Sequence, residues 1–227
     1  MDYKQTYDKW WQAFGDEHSD NCHHPYQFKL VAKILKDCNK VLDVGCGDGL
    51  LLKLLPQAVG LDVSKKALEI ARKRGIKNEI VVADARKMPF KDNEFDGVAV
   101  LDVIEHLYPE DTDKVLSEIK RVAKPKAKIV LITPRPSGIH KFTVMGKVDK
   151  EIYDGLHLPL AKITIDDLRS SIVHVKEYKP KELRELLSKY YKIKEHLLVG
   201  NVKKHVKLNT KLKIKGHKNF VVAVNEK

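Results

Sequence analysis

The sequence predicts an α/β protein in which helices cover both faces of a mostly parallel sheet. Three observations carry that expectation. Short apolar stretches alternate with helix-like stretches from residue 41 to residue 133, and such alternation builds parallel sheets covered on both sides. The first stretch, Val41 to Val44, reads as a buried strand, apolar except for Asp43. It runs straight into a glycine turn, Gly45-Cys46-Gly47-Asp48-Gly49, before apolar residues resume from Leu50 to Leu55. Strand, glycine turn and helix start together let backbone approach a ligand closely, because glycine has no side chain in the way.

Each element has its own justification. Tyr3, Tyr7, Trp10, Trp11 and Phe14 recur at helical spacing, so residues 3–14 form an amphipathic helix. A polar loop follows to Pro25. Tyr26 to Lys36 resumes the helical pattern with Phe28, Leu30, Val31, Ile34 and Leu35 apolar. After the first strand a helix is expected near 50–55, then a strand from Ala58 to Asp62. The next helix spans Ser64 to Arg74, with Ser64 as a good N-cap and Gly75 as a good terminator. Strands at Glu79–Ala83, Phe95–Leu101 and Ala127–Thr133, with a helix at Thr112–Ala123, continue the series.

The rhythm breaks at Pro134-Arg135-Pro136-Ser137-Gly138, which opens an irregular insertion to about residue 173 with a short helix near 165–172. A helix at Pro180–Tyr190, a strand at Lys192–Val199, a half-exposed strand through Val206, Leu208, Leu212 and Ile214, and a closing strand at Asn219–Asn225 complete the chain. The organisation expected is an N-terminal helical cap over residues 1–37 and one domain over 38–227. Ligands of such sheets bind at the carboxyl ends of the strands.

Composition bounds the function. With 227 residues, 43% hydrophobic and 33% charged, the chain can bury one good core and is not a disordered polymer. No apolar run approaches membrane-spanning length, the first residues lack a signal-peptide pattern, and Cys22, Cys38 and Cys46 are too scattered for a disulfide framework. A cytoplasmic location is expected. The net charge of +12 is concentrated in residues 174–219, which carry 14 Lys/Arg against 4 Asp/Glu. That asymmetry suits a polyanion such as RNA, or equally the wet face of an edge strand on which lysine discourages aggregation. His18, Cys22, His23 and His24 could ligate zinc, but no second pair follows at finger spacing.

The spacing of the glycines narrows the ligand. A dinucleotide site wants G-x-G-x-x-G, which would need glycine at Leu50; here the pattern is G-x-G-x-G with an acid two residues before the first glycine. In this form the stretch resembles motif I of the class I S-adenosylmethionine-dependent methyltransferases, nearest to the broad group that includes ubiquinone-biosynthesis enzymes. The resemblance covers about residues 38–133 closely and 174–199 loosely. It implies a Rossmann-like, doubly wound, seven-stranded sheet whose last strand is antiparallel, with the insertion after strand five. It also implies S-adenosylmethionine as cofactor, and an acidic or polar anchor at the end of each early strand.

The anchors are present in order. Gly45, Cys46, Gly47 and Gly49 should pass under the amino-acid end of the cofactor, with Asp43 ordering the turn and touching the amino group. Asp62 lies 17 residues after Gly45 and would bind the ribose hydroxyls, with Val63 against the adenine. Asp84 and the backbone of Ala85 resemble the loop that reads adenine, and Leu101 ends the fourth strand. Asp102 and His106 are the catalytic candidates, His106 because an imidazole titrates near neutral pH. Asp102, Glu105 and His106 form D-x-x-E-H, similar to metal-binding methyltransferases that add ligands such as His140, His157 or His174. Asp at 102 departs from their E-x-x-E-H, and Glu-His is widespread in relatives without metal, so no metal is assigned. A small-molecule acceptor is expected. RNA methylation through the basic C-terminal region is the first alternative, and an NAD-dependent oxidoreductase or a non-catalytic RNA-binding module is the further one.

Overall fold

The computed structural model describes residues 2–18, 25–136, 175–199, 206–207 and 218–226. The helix expected near 165–172, the Cys22–His24 cluster, and His140, His157 and His174 lie outside the described residues. So do most lysines of the basic C-terminal region.

Eight strands are described: β1 (Val41–Val44), β2 (Ala58–Asp62), β3 (Ile80–Val82), β4 (Phe95–Leu101), β5 (Ala123–Pro134), β6 (Lys192–Val199), β7 (Val206–Lys207) and β8 (Lys218–Val224). They form one sheet in the order β3-β2-β1-β4-β5-β8-β6-β7. β1 pairs in parallel with β2 and β4, β2 with β3, and β4 with β5. β8 enters antiparallel between β5 and β6. The sequence-based pattern of seven strands with the last one reversed is therefore present, and the two-residue β7 extends its outer edge.

Alternation along the strands gives the sheet two apolar faces. Leu42, Val44, Leu61, Val98, Val100 and Leu131 pack toward α4 (Pro109–Val122) and α5 (Pro180–Ser188) through Val115, Leu116, Ile119, Leu183 and Leu187. Val41, Ala58, Ala99, Val130 and Ile132 pack toward α2 (Pro25–Leu35) and α3 (Lys65–Lys73) through Val31, Leu35, Leu68 and Ala71. α1 (Tyr3–His18) belongs to neither layer. Its Tyr3 joins the first core and its Trp11 packs on Ala67 and Ile70 of α3.

α1 runs to His18, into the stretch expected to be a polar loop, α5 ends at Ser188 rather than Tyr190, and three further differences have local reasons. The helix near 50–55 is a single 3-10 turn at Leu52–Leu54, because Pro56 denies it an amide donor and disfavours helical backbone at Leu55. α4 begins at Pro109 rather than Thr112, since proline suits the first helical position and Glu110 and Asp111 complement the helix dipole. β5 begins at Ala123 rather than Ala127, with a register shift against β4 between Phe95 and Gly97. The buried Asn225 amide accounts for that kink by donating to the carbonyls of Lys120, Ala123 and Lys124.

Gly60, in the middle of β2, leaves space that the glycine turn uses. A Cβ there would meet Cys46 Sγ and Leu52 Cδ1, each at 2.7 Å. Gly60→Ala should destabilise the protein by about 1–3 kcal/mol through overpacking. Cys46→Ala added to it should recover part of that loss, as read by chemical denaturation; equal loss in the double variant would show that the contact is unimportant.

Candidate functional site

The strand order reverses at β1, with β2 and β3 to one side and β4 and β5 to the other. The crevice at such a switch point is where open α/β sheets hold ligands. Here it lies between the glycine turn after β1 and residues 102–106 after β4. These two segments touch: a Cβ at Gly45 would meet Val103 Cγ2 at 2.5 Å. Gly45 also has φ +70 and Gly47 φ +52, left-handed backbone that disfavours side chains. The turn is tied to β2 by amide hydrogen bonds from Gly45 and Cys46 to the Leu61 carbonyl, 2.7 and 3.0 Å, and is closed by Gly49 N–H on the Cys46 carbonyl at 3.0 Å. The Cys46 side chain points into the core beside Gly60, and burial pushes its thiol well above the ordinary value. It is a packing residue.

Asp43 and Asp62 lie on the same face of neighbouring strands, both buried. Asp62 Oδ2 accepts the Gly47 amide at 2.9 Å and Oδ1 the Ser64 amide at 2.8 Å. Burial outweighs those hydrogen bonds and raises its carboxyl to about 6. Asp43 is raised to about 8 by burial and then by the Asp62 charge. Among the described residues no basic side chain pairs with either. A cationic amino group and hydroxyl donors are the chemistry such a pair lacks.

Next to Asp62 in the chain, Val63 lines a cavity of about 410 Å³ together with Val82, Ala83, Asp84, Arg86, Asp2 and the α1 residues Tyr3 and Lys4. Asp84 is not free in it. Arg86 Nε lies 3.0 Å from both its oxygens and Nη2 2.6 Å from Oδ2, and the Arg86 amide donates to Oδ1 at 2.8 Å. Burial alone would raise Asp84, and these bonds reverse the shift and hold it below the ordinary value. Arg86 continues to Asp111 at 3.0 Å and stacks 4.9 Å over the Tyr3 ring. Ala85 packs against the first core.

On the far side, Leu101 ends β4 half-buried, and Asp102 follows with φ +54 and pairs with Lys218. Glu105 is fully buried, and the His106 ring meets the Tyr7 ring edge-on at 5.9 Å between centroids. Asp43, the glycine turn, Asp62, Leu101, Asp102 and His106 thus gather at the carboxyl ends of neighbouring strands, and Val63 and Asp84 line the adjacent cavity.

α1 crosses this crevice with one helical face. The Tyr3 hydroxyl donates to Asp111 at 3.1 Å and accepts the Tyr108 amide at 3.2 Å. Asp8 accepts the Ser64 hydroxyl at 2.6 Å and the Lys66 amide at 3.1 Å, capping α3. A Cβ on Gly47 would meet the Trp11 ring at 2.8 Å. Tyr7 lies where the charges of Glu105 and Asp62 both act on it, and burial first, then those charges, push its phenol upward. Sequence reasoning placed these aromatics on an amphipathic helix and gave no role to Arg86 or Lys218. The D-x-R spacing of Asp84 and Arg86 is a local signal for that pair; nothing local marks Lys218.

Comparison with known proteins agrees with this fold. The methyltransferase-domain family matches residues 42–131. An uncharacterised protein of Methanocaldococcus jannaschii is 32% identical over 171 residues, covering 74% of this chain and 77% of that protein. A demethylmenaquinone methyltransferase of Thermotoga maritima is 36% identical over 128 residues, covering 53% of this chain and 54% of the enzyme, so this chain spans about half of that relative. Among solved structures, a Burkholderia thailandensis N-methyltransferase with bound S-adenosylhomocysteine superposes with TM-score 0.64 at 15% identity, over 98% of this chain and 88% of that one. The fold is the doubly wound α/β fold of nucleotide-type ligands, and the chain belongs to the class I S-adenosylmethionine-dependent methyltransferases. Its cofactor is S-adenosylmethionine, which decides against the nicotinamide alternative. No helix among the described residues is long and apolar enough to cross a membrane.

The raised Asp43 has a measurable consequence in the ligand-free protein. Its folded value near 8 exceeds the ordinary 3.8, so the folded state holds the proton more tightly than the unfolded chain does. Stability from this residue is complete below about pH 4 and is lost as pH rises toward 8. Asp43→Asn should flatten the decline in melting temperature between pH 5 and pH 8; a decline as steep as wild type would refute the assignment.

Proposed function

We propose that the protein transfers the methyl group of S-adenosylmethionine to a small-molecule acceptor held beside residues 101–106. The observation that carries this reading is the order of the strand ends: the glycine turn after β1, the two buried carboxyl groups of Asp43 and Asp62, and then Val63 and Asp84, which line the neighbouring cavity. The residues fit the cofactor on physical grounds: Gly45 and Gly47 have left-handed backbone and no side chain of their own, and Asp43 has no cationic partner among the described residues. When bound, the cofactor supplies a sulfonium-activated methyl group.

In this reading Gly45 to Gly49 hold the amino-acid end, Asp43 receives the amino group and Asp62 the ribose hydroxyls. Val63 and Ala85 bracket the adenine, with Asp84 at its polar edge once Arg86 yields part of its hold. Leu101 and Asp102 border the reacting end. The protein's work is mainly positioning, and His106 accepts a proton where the acceptor must lose one. Tyr7 and Trp11 exclude water from above. The demethylmenaquinone enzyme among the relatives supports a small, ring-bearing acceptor.

Calorimetric titration with S-adenosylhomocysteine tests the cofactor site. Wild type should bind, and Asp62→Ala should bind more than tenfold more weakly because charge-assisted hydrogen bonds are lost. Wild-type affinity should also tighten as pH rises from 5.5 to 7.5, since Asp62 near 6 and Asp43 near 8 must release protons to serve as acceptors. Asp43→Asn should weaken that slope. Absence of wild-type binding would end the proposal.

A further inference from the structure

Asp84 follows β3 on the wall of the cavity that Val63, Val82 and Tyr3 also line, and the residue two steps on turns back onto it. The Asp84 carbonyl accepts the Lys87 amide at 3.0 Å, and its Oδ1 accepts the Arg86 amide at 2.8 Å. Residues 84–87 therefore form a closed turn that aims the Arg86 side chain at the carboxylate. Nε lies 3.0 Å from both oxygens and Nη2 2.6 Å from Oδ2. A carboxylate offers about four lone-pair sites, and these contacts together with the amide fill them.

Arg86 is itself held from the other side. Its Nη1 lies 3.0 Å from Asp111 Oδ2, which also accepts the Tyr3 hydroxyl at 3.1 Å, and its guanidinium stands 4.9 Å over the Tyr3 ring. The Asp111 side chain is only 9% exposed. Swinging Arg86 away would leave that buried carboxylate with the more exposed Lys114 and the neutral Tyr3 hydroxyl among the described residues. Planar, forked pairing of this kind is rigid as well as strong. Arg86 thus bridges two carboxylates beneath an aromatic ring and is kept at Asp84 from both directions.

A site selects for a donor group chiefly when its own acceptor would otherwise be left unpaired. Asp84 is already paired. We propose that Arg86 is a specificity-determining residue of the cofactor site: by holding the Asp84 carboxylate it makes the pocket nearly indifferent to the amino group of the purine ring. An amino N–H arriving at Asp84 must take a place that a charged donor gives up, so the exchange gains little. A ring without the amino group leaves no acceptor unmet, because Arg86 keeps its full hold. The inference rests on the methyltransferase reading above, with the adenine beside Asp84, and it gives this chain a pocket that accepts cofactors altered at the purine amino position.

Calorimetry with S-adenosylhomocysteine and with its analogue bearing hydrogen in place of the purine amino group gives the ratio of the two dissociation constants. Wild type should give a ratio below about threefold. Arg86→Met frees the carboxylate and should raise the ratio to about tenfold or more, the worth of one hydrogen bond to a charged acceptor. Adding Asp84→Ala to Arg86→Met should return it below about threefold, because the gain acts through that carboxylate. Should Arg86→Met not fold, Arg86→Lys, which keeps a charge beside Asp111 but cannot fork, should raise the ratio above the wild-type value instead. A larger wild-type ratio, a ratio unmoved in the folded Arg86 variant, or a raised ratio that survives Asp84→Ala would overturn the inference while leaving the cofactor reading intact. Failure of S-adenosylhomocysteine itself to bind would instead remove the reading on which the inference rests.

Discussion

Burial of two carboxylates at neighbouring strand ends is the constraint around which this protein is built. Asp43 and Asp62 share a sheet face, and neither has a basic partner among the described residues. Taking such groups out of water is unfavourable, and the fold tolerates it only because backbone amides converge on Asp62. The glycine turn is what lets one of those amides arrive. Gly47 can offer its N–H because its backbone is left-handed and carries no side chain, and the Trp11 ring closes over the same spot. Conformation, electrostatics and packing meet at one residue.

Opposite this pair the polarity is organised differently. Asp102 has its cation, Lys218, delivered by a strand that runs against its neighbours. The reversal of β8 matters here. A strand parallel to β5 would bring its last residue, not its first, to the carboxyl end of the sheet. Antiparallel insertion puts Lys218 at the crevice and leaves Asn219, Phe220 and Val221 to build the core behind it.

What could be read from the chain alone follows the range of the interactions. Asp43, Asp62 and Asp84 were legible because each stands a fixed step from its own strand end, and alternation of apolar runs announces strand ends locally. The pairings of Tyr3 with Asp111 and Lys218 with Asp102 span 108 and 116 residues and depend on strand order, which no local pattern encodes. The single 3-10 turn at Leu52–Leu54 shows a different failure. Its apolar content is the same for a turn as for a helix, and Pro56 decides between them. The occupied state of Asp84 was hidden for a third reason. A carboxylate at a ligand edge and a carboxylate in an ion pair look alike until the arginine is seen to fold back.

The face of α1 that carries Tyr3, Tyr7, Asp8 and Trp11 touches every station of the crevice in turn: the network around Asp84, the ring of His106, the cap of α3 and the glycine turn. Residues four apart share a face, so one short helix integrates sites contributed by four separate loops. Attachment of the helix and residence of a ligand beneath it are then linked quantities, and linkage is reciprocal. Whatever the ligand gains from being covered, the helix gains from having something to cover. In the proposed reading α1 would act as a strap whose hold is set by what lies under it, and the lifetime of the bound state would be written partly in residues that take no part in the sheet.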